Sequence, residues 1–140
     1  IGGAQAARSS PVTTTGDYEL EIGFVRTSGS DALVGLFPIG NGHFNFGVSQ
    51  ENGRQHTVMS AAKQPGTLTN GKLHSVRILV KHQGSSGDVV LFLDGQSVVT
   101  TRIDITPADR EWAGIQKSWT PAIKSQNATY EIKSISLKQL

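Results

Sequence analysis

Residues 44–61 read FNFGVSQENGRQHTVMSA, and the fold class turns on the dipeptide at their centre. Asn52-Gly53 is the pair that a two-residue type I′ turn requires, because both central positions need positive φ. Two strands closed by that turn set Glu51 opposite Arg54, Ser49 opposite His56, Phe46 opposite Met59 and Asn45 opposite Ser60. One face then carries Phe44, Phe46, Val48, Met59 and Ala61, a core face. The other carries His43, Asn45, Ser49, Glu51, Arg54, His56 and Ser60, a wet one. Side chains alternate with period two, so a slip of one residue inverts the assignment.

The same period continues on both sides. Tyr18, Leu20, Ile22 and Phe24 alternate with Glu19, Glu21, Gly23 and Val25, the pattern of a strand with one buried face. Leu33 to Ile39 form a more apolar segment, with Pro38 arguing for an edge or a bulge near its end. Asn70-Gly71 marks a turn, followed by His74, Val76, Ile78 and Val80 in alternation. Val89 to Leu93 are apolar on both faces, as in a central strand. Asp94-Gly95 closes a second tight hairpin, with Leu93 opposite Gln96 and Leu91 opposite Val98. Tyr130, Ile132, Ile135 and Leu137 form a last strand whose alternation breaks once, so a bulge is expected.

The one helix start is Thr106-Pro107, with Thr106 as N-cap and Gly114 ending the turn. Residues 1–16 are small and polar, interrupted by Pro11, and read as a linker or tag remnant ahead of one domain over 17–140. The expected fold is all-β: a two-sheet antiparallel jelly-roll sandwich with at most one short helical turn.

Composition agrees. Of 140 residues 36% are hydrophobic and 17% charged, and 16 are Gly, a turn-rich profile long enough for a real core. No apolar run approaches a bilayer span, and Ile1 onward does not resemble a signal peptide. Zero Cys removes disulfides, thiolate metal sites and a Cys nucleophile. The net charge is +2, with nine bases and six acids in residues 71–140. Those bases form no stripe and lack interleaved aromatics, so nucleic acid is not an expected partner, nor is membrane insertion.

Tyr18-Glu-Leu-Glu-Ile-Gly-Phe, Asn70-Gly-Lys-Leu-His-Ser-Val-Arg-Ile-Leu-Val and Val89-Val-Leu-Phe-Leu-Asp-Gly together resemble the concanavalin A-like lectin/glucanase superfamily. Laminin-G-like modules show the same order of Asn-Gly, His, alternating strand and Leu-Asp-Gly. Lys117-Ser118-Trp119 before the final strand resembles β-sandwich modules appended to large bacterial proteins. The likeness covers nearly the whole chain from Asp17. It implies a non-catalytic module for carbohydrate or another cell-surface ligand, placed outside the cytoplasm beside the other domains of a larger protein.

Two hydrolase readings compete with it. Glu19 and Glu21 share a strand face at about 7 Å between Cα atoms, and glycoside hydrolysis uses two carboxylates flanking a sugar bond. Family 16 glucanases, however, carry Glu-x-Asp-x-x-Glu, whereas here Glu21 is followed by Ile22-Gly23-Phe24. The 3-keto-disaccharide hydrolases share the opening strand but have Asn-Ser-Gly-Ile where this chain has Ser30-Asp-Ala-Leu. Glu19 and Glu21 are therefore expected on the solvent face of an outer strand. A purely structural or protein-interaction domain is the third reading.

His43, His56, His74 and His82 show no metal-ligand spacing, and no cofactor is expected. His74, at a position where laminin-G-like modules also have His, suits a structural role. The laminin-G resemblance brings in Ca²⁺ held at a rim, with Asp31, Asp88 and Asp104 as the acids in or near loops. Asn127-Ala128-Thr129 matches a glycosylation sequon. The candidate ligand site is the wet hairpin face, Asn45, Ser49, Glu51, Arg54, His56 and Ser60, whose donors and acceptors suit sugar hydroxyls. Trp112 and Trp119 are candidate flat platforms for a sugar ring.

Overall fold

The computed structural model describes residues 5–9, 17–39, 42–59, 62–83, 86–104 and 122–140. They form eleven strands: β1 Gln5–Ser9, β2 Tyr18–Gly29, β3 Leu33–Ile39, β4 Gly42–Ser49, β5 Gln55–Val58, β6 Ala62–Pro65, β7 Leu73–Gln83, β8 Ser86–Leu93, β9 Gln96–Asp104, β10 Ala122–Gln126 and β11 Ala128–Gln139. One sheet has the order β1-β10-β3-β4-β5-β6 and the other β11-β2-β7-β8-β9. Every pairing is antiparallel. This is the expected two-sheet sandwich.

The core follows from alternation. Tyr18, Leu20, Ile22 and Phe24 of β2, Val76, Ile78 and Val80 of β7, and Val89 and Leu91 of β8 are buried from one sheet. Leu33, Phe37, Ile39, Phe44, Phe46, Val48 and Val58 meet them from the other. Phe37 and Phe46 stack at 5.3 Å and 8°. They do so because Gly35 lies between them: a Cβ there would come within 2.1 Å of Phe46 and 2.6 Å of Phe37. Each such ring contributes about 1.5–3 kcal/mol through burial.

Several details depart from the reading above. Gln5–Ser9, inside the segment read as a linker, pairs along β10 as an edge strand. Pro38 lies near the end of β3, paired with His43 of β4 and, among the described residues, beyond the reach of the β10 pairing, which runs from Leu33 to Leu36. Leu93 faces Gln96 as expected, while Leu91 faces Val99 rather than Val98 because the register shifts between Leu91 and Phe92. The bulge in β11 is present, between Ile132 and Ser134. The Thr106 helix start lies outside the described residues. The short helical turn found instead is at Gln50–Gly53.

That turn changes the β4–β5 hairpin. Asn52 and Gly53 have positive φ as required (59° and 90°), but Glu51 (50°) and Ser49 (63°) join them. Gln50 bridges to Gln55, so the connection spans four residues. Between that bridge and the pair Gly47–Thr57, β4 uses Val48 and Ser49 where β5 uses only His56. Two residues against one is a bulge, and it slips β5 by one position. Phe46 therefore faces Val58, not Met59. Phe44, Phe46 and Val48 stay in the core, but His56 turns inward with Val58.

Candidate functional site

Antiparallel order places the connections after β2, β4, β6, β8 and β10 at one end of the sandwich. Beneath them lies Arg26. It takes the next inward step of β2 after Phe24 and is 4% exposed. Its Nε donates to Asn70 Oδ1, Nη1 to Ser30 O (2.9 Å) and Ser49 Oγ (2.7 Å), and Nη2 to Leu68 O (2.9 Å). One rigid guanidinium thus ties the β2–β3, β4–β5 and β6–β7 connections together. Among the described residues no carboxylate pairs with it, so its charge is held by neutral oxygens.

Two imidazoles complete the base of the rim. Ser49 N–H donates to His56 Nδ1 (3.1 Å), and Thr69 N–H donates to His74 Nε2 (3.1 Å). His74 Nδ1 pairs with Asp94 Oδ2 at 2.7 Å, and Asp94 Oδ1 accepts from Ser75 N–H at 2.9 Å. An accepting nitrogen carries no proton, so in the uncharged ring the proton belongs on Nε2 of His56 and on Nδ1 of His74. Burial pushes the Asp94 carboxyl up, but hydrogen bonds from His74 and Ser75 and the charges of His74 and Lys72 outweigh it and hold the group below 3.8. Tyr130 donates to Asp31 O at 2.6 Å, and burial drives its hydroxyl up to about 12. His74 has the structural role expected of it.

The wet hairpin face does not exist as drawn. Ser49 (0% exposed) and His56 (2%) are buried under the rim, because the bulge at Ser49 turns both inward. Glu51 and Arg54 are exposed at the rim, beside Asn52, whose side chain accepts from Ser30 Oγ and whose N–H donates to Asp31 Oδ1 (3.4 Å). Asn45 is half-buried, farther along β4. Ser60, Trp112 and Trp119 lie outside the described residues. The structure therefore brings Glu51 and Arg54 together with Asn52, which the sequence reading left out.

Glu19 and Glu21 do share the outer face of β2, neighbours along one strand rather than across a cleft. Glu19 pairs with Arg77 at 3.3 Å, and the Arg77 guanidinium lies 4.0 Å above the Phe92 ring. Asp31 sits at the rim, whereas Asp88 and Asp104 are near the opposite end, with Asp88 3.4 Å from Arg102. Among the described residues no group of three His, Asp or Glu is placed to hold a metal ion. No helix there is long and apolar enough to cross a membrane.

No protein-family model and no curated protein matches the chain. Solved structures do. The carbohydrate-binding module CBM66 from Bacillus subtilis aligns with TM-score 0.62 at 11% identity, over 99% of this chain and 84% of that one. The winged bean acidic lectin complexed with methyl-alpha-D-galactose aligns with TM-score 0.57 at 16% identity, over 95% and 77%. A xylan beta-1,4-xylosidase from Bacillus halodurans aligns with TM-score 0.53 at 12% identity, over 88% of this chain but 28% of its own. The chain has the jelly-roll fold of the concanavalin A-like lectins and glucanases.

Proposed function

We propose that the chain is a non-catalytic carbohydrate-binding module of a larger protein, with residues 17–140 as its body, β1 as an added edge strand and the rim as its sugar site. Glu51, Asn52 and Arg54 are the contacts. The observation that carries this is the hold on the β4–β5 turn. Buried Arg26 grips Ser49 at its base and Asp31 accepts from Asn52, so the three side chains project from backbone already ordered. Such preorganisation lowers the entropy lost when a ligand binds. Arg54 supplies donors, Glu51 acceptors and Asn52 both, the complement that hydroxyl groups need. Gly53 keeps the turn tight: a Cβ there would lie 2.8 Å from Ser30 O.

The solved neighbours named as a carbohydrate-binding module and a lectin support this reading, and the xylosidase supports attachment to other domains. The placement of Glu19, paired with Arg77 on the outward face of β2 and β7, favours binding over hydrolysis. A glycan array on the 140-residue chain, with and without Ca²⁺, is the test. Arg54→Ala should weaken binding of an arrayed hit roughly 10- to 100-fold, the scale of a lost charge-assisted hydrogen bond. A blank array, or binding untouched by Arg54→Ala and Glu51→Gln, sinks the assignment. Turnover of a glycoside abolished by Glu21→Gln would replace it with the hydrolase reading.

A further inference from the structure

The two histidines beneath the rim are both used as acceptors of backbone N–H groups from the connections above them. An imidazolium has no lone pair to offer, so an accepting nitrogen loses its bond when it is protonated. The two rings differ in what remains. His74 has Asp94 Oδ2 on one nitrogen, and Thr69 O lies 3.3 Å from the other. A charged ring there keeps two acceptors. His56 is buried at 2% exposure, and among the described residues no carboxylate pairs with it.

Its neighbours make the contrast sharper. Arg26 of β2 is one hydrogen bond away through Ser49, and His74 of β7 acts on it electrostatically. Gly66, in the connection between β6 and β7, presses so close that a Cβ there would sit 2.3 Å from His56 Nε2. Lys63 and Lys72 flank that connection, and Glu51 and Arg54 stand on the exposed turn. Two other rim carboxylates are already engaged, Asp31 by Ala32 and Asn52 N–H, Asp94 by His74 and Ser75. None of them meets a proton arriving on His56.

We propose that His56 is an acid-operated latch on the β4–β5 turn. Protonation at Nδ1 replaces the acceptor for Ser49 N–H with a second donor, breaks that bond and frees residues 50–53. Ser49 is the joint: it stands in the left-handed region, and its Oγ both accepts from Arg26 and donates to Ser30 O (3.0 Å). Burial, then the charge of His74, holds His56 below its ordinary 6.5 while the turn is closed. The open turn therefore binds the proton more readily, and the closed form weakens as pH falls below about 6.5. One proton taken up on opening shifts that equilibrium by up to about tenfold per pH unit. The latch concerns the turn itself. Release of a sugar in acid rests additionally on the rim reading above, and the experiment below is independent of it.

The test is an NMR titration of the 140-residue chain from pH 8 to 5, following the His56 ring and Ser49 amide exchange corrected for its intrinsic rate. His56 should titrate below 6.5, and Ser49 protection should fall by up to about tenfold per pH unit while Ile78 in β7 keeps its own. His56→Asn, whose Oδ1 can accept the same N–H but does not titrate, should hold Ser49 protection flat to pH 5. The latch is overturned if His56 titrates at or above 6.5 with Ser49 still protected, or if His56→Asn loses protection as the parent does. Should His56→Asn fail to fold, the parent titration decides alone.

Discussion

Arg26 shows how far a single side chain organises this molecule. Its hydrogen bonds reach three connections that are distant in sequence, from Ser30 to Asn70. Hydrogen bonds to a charged group contribute about 1.5–3 kcal/mol each, and losing the donor leaves the partner oxygens buried without it. Lysine carries the charge but not the planar fork, so it cannot serve Ser49, Leu68 and Asn70 together. Arg26→Lys should therefore lower stability by about 2–3 kcal/mol in urea denaturation, with an unchanged dependence on denaturant. A loss under about 0.5 kcal/mol would mean that the connections hold one another without it. The sequence displays the period that puts Arg26 inward after Tyr18, Leu20, Ile22 and Phe24. It does not display the oxygens that receive it, because they come from positions up to 44 residues away. A charged residue at the end of an alternating run reads as the strand leaving the core, and here it was the strand continuing.

At the scale of elements, what was legible was local. Asn-Gly and Asp-Gly turns, period-two alternation and the break in β11 are all encoded within a few residues, and they gave β2, β4, β7 and β11 their faces, whereas the register shift between Leu91 and Phe92 put Val99 rather than Val98 on the buried side of β9. The β5 register was not legible, since a two-residue turn and a four-residue connection with a bulge fit the same letters between Val48 and Thr57. The choice is made by Ser49, whose left-handed backbone is held by Arg26 and His56, two tertiary partners. That one choice moved His56 from the expected sugar face to the base of the rim, while Glu51 and Arg54 stayed outside. Gly35 belongs to the opposite category, a residue with an ordinary strand conformation whose role is space. Gly35→Ala forces Phe37 and Phe46 apart from a stacked arrangement in a filled core, where there is little room to give. The expected cost is about 1–3 kcal/mol, read as a lower thermal midpoint together with altered near-ultraviolet circular dichroism from the ring pair. A variant with the parent midpoint would show that the stack relaxes freely.

For the whole molecule, the deciding contacts join its two ends. β11 lies along the full length of β2, from Ala128 against Gly29 to Gln139 against Tyr18. Leu140 N–H also reaches Asp17 O at 3.0 Å. Tyr130 packs its ring 5.7 Å from Phe24 and caps the β2–β3 connection through Asp31. Pairing of this kind closes loops of more than a hundred residues, so its entropy cost falls before its contacts form, and folding should be slow for a chain of this size. It also means that neither sheet is an independent unit. Removing residues 128–140 strips β2 of its neighbour and uncovers one side of Phe24 and Ile22, which stand opposite Ile132 and Ile135. The shortened chain 1–127 should then show no cooperative thermal transition and no dispersed amide spectrum, rather than a sandwich with one strand fewer. If it instead unfolds cooperatively with native-like dispersion, β11 is an accessory edge. The rim would in that case be held from the β2–β7 side by Arg26 and His74 without the Tyr130 cap.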